Sequence, residues 1–495
     1  MNREVSRLAM AGLALIVALI AGTTYWQTWA AAGLADRQDN AIQRVAQFTI
    51  RRGLIYMGDG RRVLASNVPK RVAGRTLYFR RYPRGRLTAH VVGYSTQARA
   101  QAGLERSMND YLVGANANLS TVLDTTIDRL TGATVTGNDL VLTLDAVAQR
   151  TAMAALAGKC GSAVALDPRT GRVLAMASSP SFDPNLVETD YRRIERASGP
   201  CPRPSGPLLN RATYGLYTPG STFKVLTAAA ALDSGRYTPD SRFLDPGYCI
   251  EYGKRVSNAG NPEVGPEVFG SVDFTQALEH SINSVFCNIG KDIGAGTIIR
   301  YMKRFGFYAV PPLETPLNER APSGLYRKGE LFDPDQPQFQ VDPGRLAFGQ
   351  ERLQVTPLQM AMVVAAIANG GSVMRPYVVD RVVAPDGSIV SRTRPEKLGQ
   401  AVSARTASQV ASMMEAAVRS GTGTRAFIPG ARVAGKTGTA ETGTANLYTT
   451  AFVSFASVDD PRVAVAVILE RQRGFGGETA APIAKEIMQA ILRRG

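Results

Sequence analysis

The chain has 495 residues, 44% of them hydrophobic and 20% charged. That is too long for one compact domain and too apolar for a disordered chain, so two or three domains are expected. Lys and Arg outnumber Asp and Glu by 57 to 41, a net charge of +16, while two histidines and four cysteines without CxxC pairs argue against a zinc site or a histidine-based triad.

The charge is uneven. Residues 1–155 hold 19 basic against 10 acidic side chains, so less than a third of the chain carries +9 of the +16. Such a field favours an anionic neighbour: nucleic acid, acidic lipid headgroups or a wall polymer. Arg3 and Arg7 precede an uncharged run from Leu8 to Ala35. Its apolar core is long enough for about five helical turns, roughly the hydrocarbon thickness of a bilayer. Tyr25, Trp26 and Trp29 sit at its far end, where amphipathic rings collect at a membrane interface. The run predicts a cytoplasmic tail (1–7), a single transmembrane anchor (8–28) and a catalytic body outside the cell membrane. A cleaved signal peptide ending near Ala30-Ala31-Ala32 is the competing reading, and the bulky rings beside that site disfavour it. The exported position disfavours nucleic acid as the partner. It also permits disulfides. Cys160, Cys201, Cys249 and Cys287 allow three full connectivities. Cys249 with Cys287 is the preferred pair because both flank the segment around Ser281, with buried free thiols as the alternative.

Residues 36–155 alternate short β-rich pieces with basic turns and are expected to form a β-rich pedestal domain. Arg80, Arg81, Arg84 and Arg86 crowd together there, a pattern that reads as a solvated charged face. Residues 140–145 predict a strand and 147–156 an Ala-rich helix. From Gly161 the texture changes. Strands over 162–166 and 173–177 are joined by the turn Asp167-Pro-Arg-Thr-Gly171, and strands over 450–456 and 462–469 flank Asp459-Asp460-Pro461. The segments between these hairpins look mostly helical, over 225–232, 356–369 and 403–420, and an amphipathic helix closes the chain over 478–493. Strands at both ends of residues 158–495, with helices between them, predict one α+β domain whose antiparallel sheet draws on both termini.

Tyr217-Thr-Pro-Gly-Ser-Thr-Phe-Lys224 places Ser221 at the start of an apolar helix and Lys224 one turn on, along the same face. That spacing suits a serine nucleophile whose base is a lysine. Alone it is weak, because a capping serine followed by a surface lysine gives the same pattern. Two further elements strengthen it. Ser281-Ile-Asn283 lies 60 residues on, and Lys436-Thr437-Gly438 a further 155, just before the C-terminal hairpin. SxxK, SxN and KTG in that order mark serine acyl-enzymes. Gly430-Ala-Arg-Val-Ala-Gly-Lys-Thr437 also satisfies the phosphate-loop pattern GxxxxGK[ST]. A phosphate loop follows a buried parallel strand and opens a helix, whereas a hairpin strand follows here, so nucleotide binding is not expected.

With these motifs, residues 158–495 resemble the transpeptidase domain of class B penicillin-binding proteins, a penicillin-binding, serine β-lactamase-like fold with an antiparallel sheet and a helical subdomain. The likeness extends to Val164–Asn185, Asn210-Arg-Ala212, Phe348-Gly-Gln350, Ala368-Asn-Gly-Gly371 and Gly421-Thr-Gly423. Upstream, Arg52-Gly-Leu-Ile55 and Gly103-Leu-Glu105 are similar to the class B pedestal, closest to the actinobacterial A type. Tyr56-Met-Gly-Asp-Gly60 departs from the family's usual Asp-Arg-Asn-Gly. The resemblance implies Ser221 as nucleophile, Lys224 as its base, Ser281 as a proton relay between Lys224 and Lys436, and the Asn283 amide as a holder of the bound peptide. Thr437, Gly438 and Thr439 would bind a terminal carboxylate, and the N–H groups of Ser221 and Thr439 would form the oxyanion hole. The implied reaction is D,D-transpeptidation of peptidoglycan stem peptides, blocked by β-lactam antibiotics, with no cofactor and no metal. Class B proteins work beside a polytopic lipid II polymerase, which the resemblance implies as a partner. A D,D-carboxypeptidase, a β-lactamase and a non-catalytic penicillin-binding scaffold or sensor are the alternatives.

Overall fold

The computed structural model describes residues 2–25, 48–72, 74–96, 101–115, 135–197, 199, 201, 206–261, 265–332 and 340–493. The apolar N-terminal run is helical over Asn2–Thr24, and Leu13, Leu15 and Leu19 point away from the protein, 63%, 71% and 69% exposed. Among the described residues no helix is long and apolar enough to cross a membrane. The predicted anchor runs to residue 28, and Trp26 and Trp29 at its far end lie outside the described residues.

The pedestal is built on a six-stranded sheet ordered Ile389–Arg392, Val379–Val383, Asp139–Leu142, Ile55–Tyr56, Val63–Val72, Arg75–Arg81. Ile55 pairs in parallel with Leu140, and the other neighbours are antiparallel. Ile55, Leu64, Leu104, Leu140 and Leu142 are fully buried beneath it. Two of the six strands come from beyond residue 378, so the sheet is not confined to the 36–155 segment expected to supply it. Conversely, the helix Ala146–Ala155 sits with the later fold. Asp145 caps it by accepting from Val147 N and Ala148 N, and its Ala148 and Ala152 pack with Ile483, Ile487 and Met488 of the C-terminal helix Ala481–Leu492.

The larger sheet has the order Val433–Glu441, Tyr448–Ala456, Val463–Gln472, Cys160–Leu166, Val173–Ser179, antiparallel throughout. The two predicted hairpins therefore join edge to edge, with Ala464 opposite Leu166 and Glu470 opposite Cys160. Strand period sorts the side chains. Ala464, Ala466 and Ile468 face one core with the helix Pro357–Ala368, while Val463, Val465, Val467 and Leu469 face the other with Ala481–Leu492. Burial on both faces gives these strands continuous apolar runs in place of alternation.

Residues 242–273 were expected to belong to a mostly helical stretch. They form β-ribbons instead: Arg242–Asp245 with Gly270–Asp273, and Tyr248–Glu251 with Lys254–Ser257. Gly247 and Gly253, both at positive φ, turn the chain between them. The Cys249–Cys287 disulfide fixes this insert to the helix Asn283–Ile293, as preferred from sequence, and a second bridge joins Cys160 to Cys201.

The pedestal arginines are also more than a solvated face. Arg81, Arg84 and Arg86 are exposed, but the Arg80 side chain is 1% exposed and its Nε donates to Glu105 Oε1 at 2.7 Å. Arg52, equally buried, donates to Glu105 Oε2 at 3.1 Å. Burial alone would raise the Glu105 carboxyl, yet the two guanidinium groups hold it below its ordinary value. Breaking a buried ion cluster by removing one partner typically costs about 3–5 kcal/mol. Glu105→Gln is therefore expected to lower the unfolding midpoint and to strip hydrogen-exchange protection from the strands at 55–56 and 63–81. Unchanged protection there would show that the cluster does not hold the pedestal together.

Candidate active site

The helix Lys224–Asp233 runs through the middle of the C-terminal core, with residues 224–232 all buried. Ser221, expected from sequence to open that helix, does not do so directly. It lies in a 3-10 turn, Gly220–Phe223, that leads into it. Gly220 has φ +52, and a Cβ there would fall 3.0 Å from the Thr439 carbonyl oxygen and 3.4 Å from its nitrogen. The Ser221 turn is thus pressed directly onto the KTG strand, with Gly220 against the Thr439 main chain. Gly438 serves the same contact from the other side, since its Cβ would meet Pro219 O at 2.7 Å and the Thr222 methyl at 2.8 Å.

Lys224 is fully buried while Ser221 stays half exposed. Its Nζ donates to the Ser281 carbonyl at 2.6 Å and to Asn283 Oδ1 at 2.7 Å, and lies 3.3 Å from Ser281 Oγ. A neutral amine has two N–H donors and one lone pair. The two short contacts use both donors, which leaves the lone pair free for a hydroxyl. Burial, and then the charge of Lys436, hold Lys224 well below the usual lysine range. Burial lowers Lys436 to about 7. The Phe286 ring, 5.2 Å from Lys224 Nζ, favours the cation but is too weak to offset the loss of water.

Ser281 occupies the link between the helices Phe274–Glu279 and Asn283–Ile293 at φ +61, a left-handed conformation costly for a non-glycine residue. That kink turns its carbonyl toward Lys224. The expected relay is half in place. Ser281 meets Lys224, whereas Lys436 Nζ donates to the Thr437 carbonyl at 3.1 Å. Asn283 also differs from expectation. Its amide donates to Ser257 O at 3.0 Å and its oxygen receives Lys224, so here it holds the lysine amine.

Behind this turn lies a buried carboxylate that the motifs did not reveal. Asp245, 1% exposed, accepts from Gly247 N, Phe269 N, Asn258 Nδ2 and the Ser284 hydroxyl. Those hydrogen bonds keep its carboxyl below the ordinary value although burial opposes it. Asn258 Oδ1 in turn accepts from Ser284 N, beside Asn283. Thr422 was overlooked as well, and its hydroxyl is 2.8 Å from that of Thr437. Thr439 Oγ1 accepts from Gly476 N at 3.1 Å, which leaves its own proton to donate. Gly349, part of the Phe348-Gly-Gln350 match, backs the nucleophile turn: its carbonyl accepts from Gly220 N at 3.1 Å. Arg211 and Tyr217 both donate to Glu470 Oε1, at 3.0 and 2.8 Å, and so moor the approach to Ser221 onto the central sheet. Lys436 stands in mid-strand and opens no helix, which removes the phosphate-loop reading. Among the described residues no group of His, Cys, Asp and Glu is arranged to hold a metal.

Two family models match the chain. Residues 161–489 match the penicillin binding protein transpeptidase domain, and residues 52–140 match the penicillin binding protein A dimerisation domain. The peptidoglycan D,D-transpeptidase PbpA of Mycolicibacterium smegmatis is 35% identical over 512 residues, covering 100% of both chains. The protein of that name from Mycobacterium tuberculosis is 33% identical over 510 residues, covering 100% of this chain and 99% of its own. Among solved structures, penicillin-binding protein A from M. tuberculosis, a ceftriaxone acyl-enzyme, superposes with a TM-score of 0.79 at 29% identity, covering 90% of this chain and 100% of that one. On the strength of its motifs, its fold and these matches, the chain belongs to the penicillin-binding protein transpeptidase family.

Proposed function

We propose that this chain cross-links peptidoglycan as a D,D-transpeptidase through an acyl-enzyme on Ser221. The observation that carries the reading is the wholly buried Lys224 amine, joined to Ser281 and Asn283 directly behind a serine pressed against the KTG strand. Ser221 Oγ attacks the carbonyl between the last two residues of a stem peptide ending in D-Ala-D-Ala. Lys224, neutral in its dry pocket, takes the hydroxyl proton. The N–H groups of Ser221 and Thr439 face the developing oxyanion. The C–N bond breaks, and the departing amine of D-Ala takes a proton from Lys224 by way of the Ser281 hydroxyl. An amine from a second stem peptide then attacks the ester. It forms the cross-linking amide and returns a proton to Ser221. Lys436, Thr437 and Thr439 hold the substrate's terminal carboxylate by charge and hydroxyl donation, and Gly438 keeps that strand close. β-Lactams mimic the donor and remain on Ser221.

The uncharged run over 8–35, whose Leu13, Leu15 and Leu19 are exposed, supports a single-pass membrane anchor that leaves the catalytic domain extracytoplasmic. The two separate sheets support a division into a pedestal and a transpeptidase domain, with residues 379–392 returning to the pedestal sheet. The anchor and pedestal together are the surface offered to a polytopic lipid II polymerase.

A fluorescent penicillin separates the alternatives. Stable label that disappears in Ser221→Ala, with the adduct mapped by mass spectrometry to Ser221, is the transpeptidase outcome. Fast release of label indicates a β-lactamase, and absence of label a scaffold. The pH profile tests the base. Acylation should rise with pH as Lys224 loses its proton, then fall above about 7 as Lys436 becomes neutral and its hold on the carboxylate weakens. Lys436→Gln should abolish the falling limb. It should also move the rising limb to higher pH, because the repulsion that lowers Lys224 is gone; an unmoved rising limb counts against the coupling. Finally, Asp245→Asn should slow acylation by about 10²-fold, since small displacements of a catalytic group carry costs of that order. Wild-type rates in that variant would show that the buried carboxylate does not position Asn283.

A further inference from the structure

We propose that the two-stranded arm formed by Val63–Val72 and Arg75–Arg81 docks onto the anionic phosphate headgroups of the membrane leaflet facing the catalytic domain. The proposal rests on the membrane-anchor reading above and adds a second, electrostatic contact to it. From Gly60 to Leu104 the chain contains ten Lys and Arg residues and no Asp or Glu. The acids that bracket this stretch are both taken: Asp59 pairs with Arg62, and Glu105 with Arg52 and Arg80. Arg61, Lys70, Arg71, Arg75, Arg81 and Arg84 remain exposed, and none makes an ion pair among the described residues. At the tip, Val72 is 49% exposed between Arg71 and Arg75. A bare apolar side chain flanked by cations suits a bilayer interface, where the charges meet phosphate and the apolar group enters the headgroup boundary.

The arm is also where the chain coming from the anchor is seated. Phe48 stacks on Phe79 at 5.6 Å between ring centroids, and its carbonyl accepts from Tyr78 N at 2.7 Å. Only residues 26–47 separate the N-terminal helix from that clamp. A second copy of this chain is a poor occupant, because it would bring one set of unpaired cations against another. A leaflet rich in phosphate gives the arm its missing counter-charge, and contact there would fix the height and tilt of the pedestal over the bilayer.

The test uses the full chain in lipid nanodiscs, with Val72→Cys carrying a bimane label and brominated lipid as quencher. Several-fold stronger quenching is expected with about 30 mol% phosphatidylglycerol than with phosphatidylcholine alone. The excess should vanish at about 0.5 M salt, where screening is short-ranged. It should also vanish in a variant carrying Lys70→Glu, Arg71→Glu and Arg75→Glu. Equal quenching in both lipids, or none, overturns the proposal while leaving the anchor in place. Quenching that appears only when a partner protein is added overturns it in favour of a protein contact. A chain that stays with neither nanodisc overturns both the arm and the anchor.

Discussion

The organisation of the C-terminal domain depends on one amine kept out of water. Lys224 is fully buried at the head of the central helix, and an ammonium there would be costly to desolvate. The fold resolves this by supplying acceptors for two N–H bonds, from the Ser281 carbonyl and the Asn283 amide, and by placing a second lysine nearby. Burial and the neighbouring charge both favour the uncharged form, the form in which a lysine can act as a base. On the proposed mechanism, the exclusion of water is what prepares Lys224 for its role.

Keeping that pocket closed needs close approach of main chains. Gly220, Gly438 and Gly349 stand where a Cβ would run into the neighbouring backbone or side chain, so the nucleophile turn, the KTG strand and the segment behind them sit at a separation that only glycine permits. The Ser281 turn takes the opposite route. It holds a non-glycine residue at positive φ, and the surrounding hydrogen bonds fix it there: Asp245 and Asn258 secure Ser284, and the Cys249–Cys287 bridge secures the helix that follows. The β-ribbon insert 242–273 belongs to the active site for this reason, although it supplies no reacting group.

Much of this was legible in the residues. Helices at 225–232, 356–369 and 403–420 and strands at 162–166, 173–177, 450–456 and 462–469 fall within a few residues of their observed ends, because apolar periodicity and turn residues act locally. The ribbons were missed since each strand is four residues long, and Leu244 and Ile250 face outward while Asp245 and Glu251 are buried, the reverse of the usual period. Arg80 looked like a surface cation because its partner, Glu105, lies 25 positions away. Asp245 carried no motif and is 39 positions from the serine it holds.

The sequence by itself determined the order of SxxK, SxN and KTG, the antiparallel hairpins that frame them, and the apolar, basic character of the first part of the chain. These are properties of short segments, set by spacing, side-chain period and net charge. Only the tertiary structure decided that strands 379–383 and 389–392 complete the pedestal sheet, that Asn283 joins Lys224 to Ser257, and that Lys224 and Lys436 both lose their water. Burial and electrostatic shifts are sums over neighbours drawn from distant parts of the chain, and no local pattern encodes such a sum.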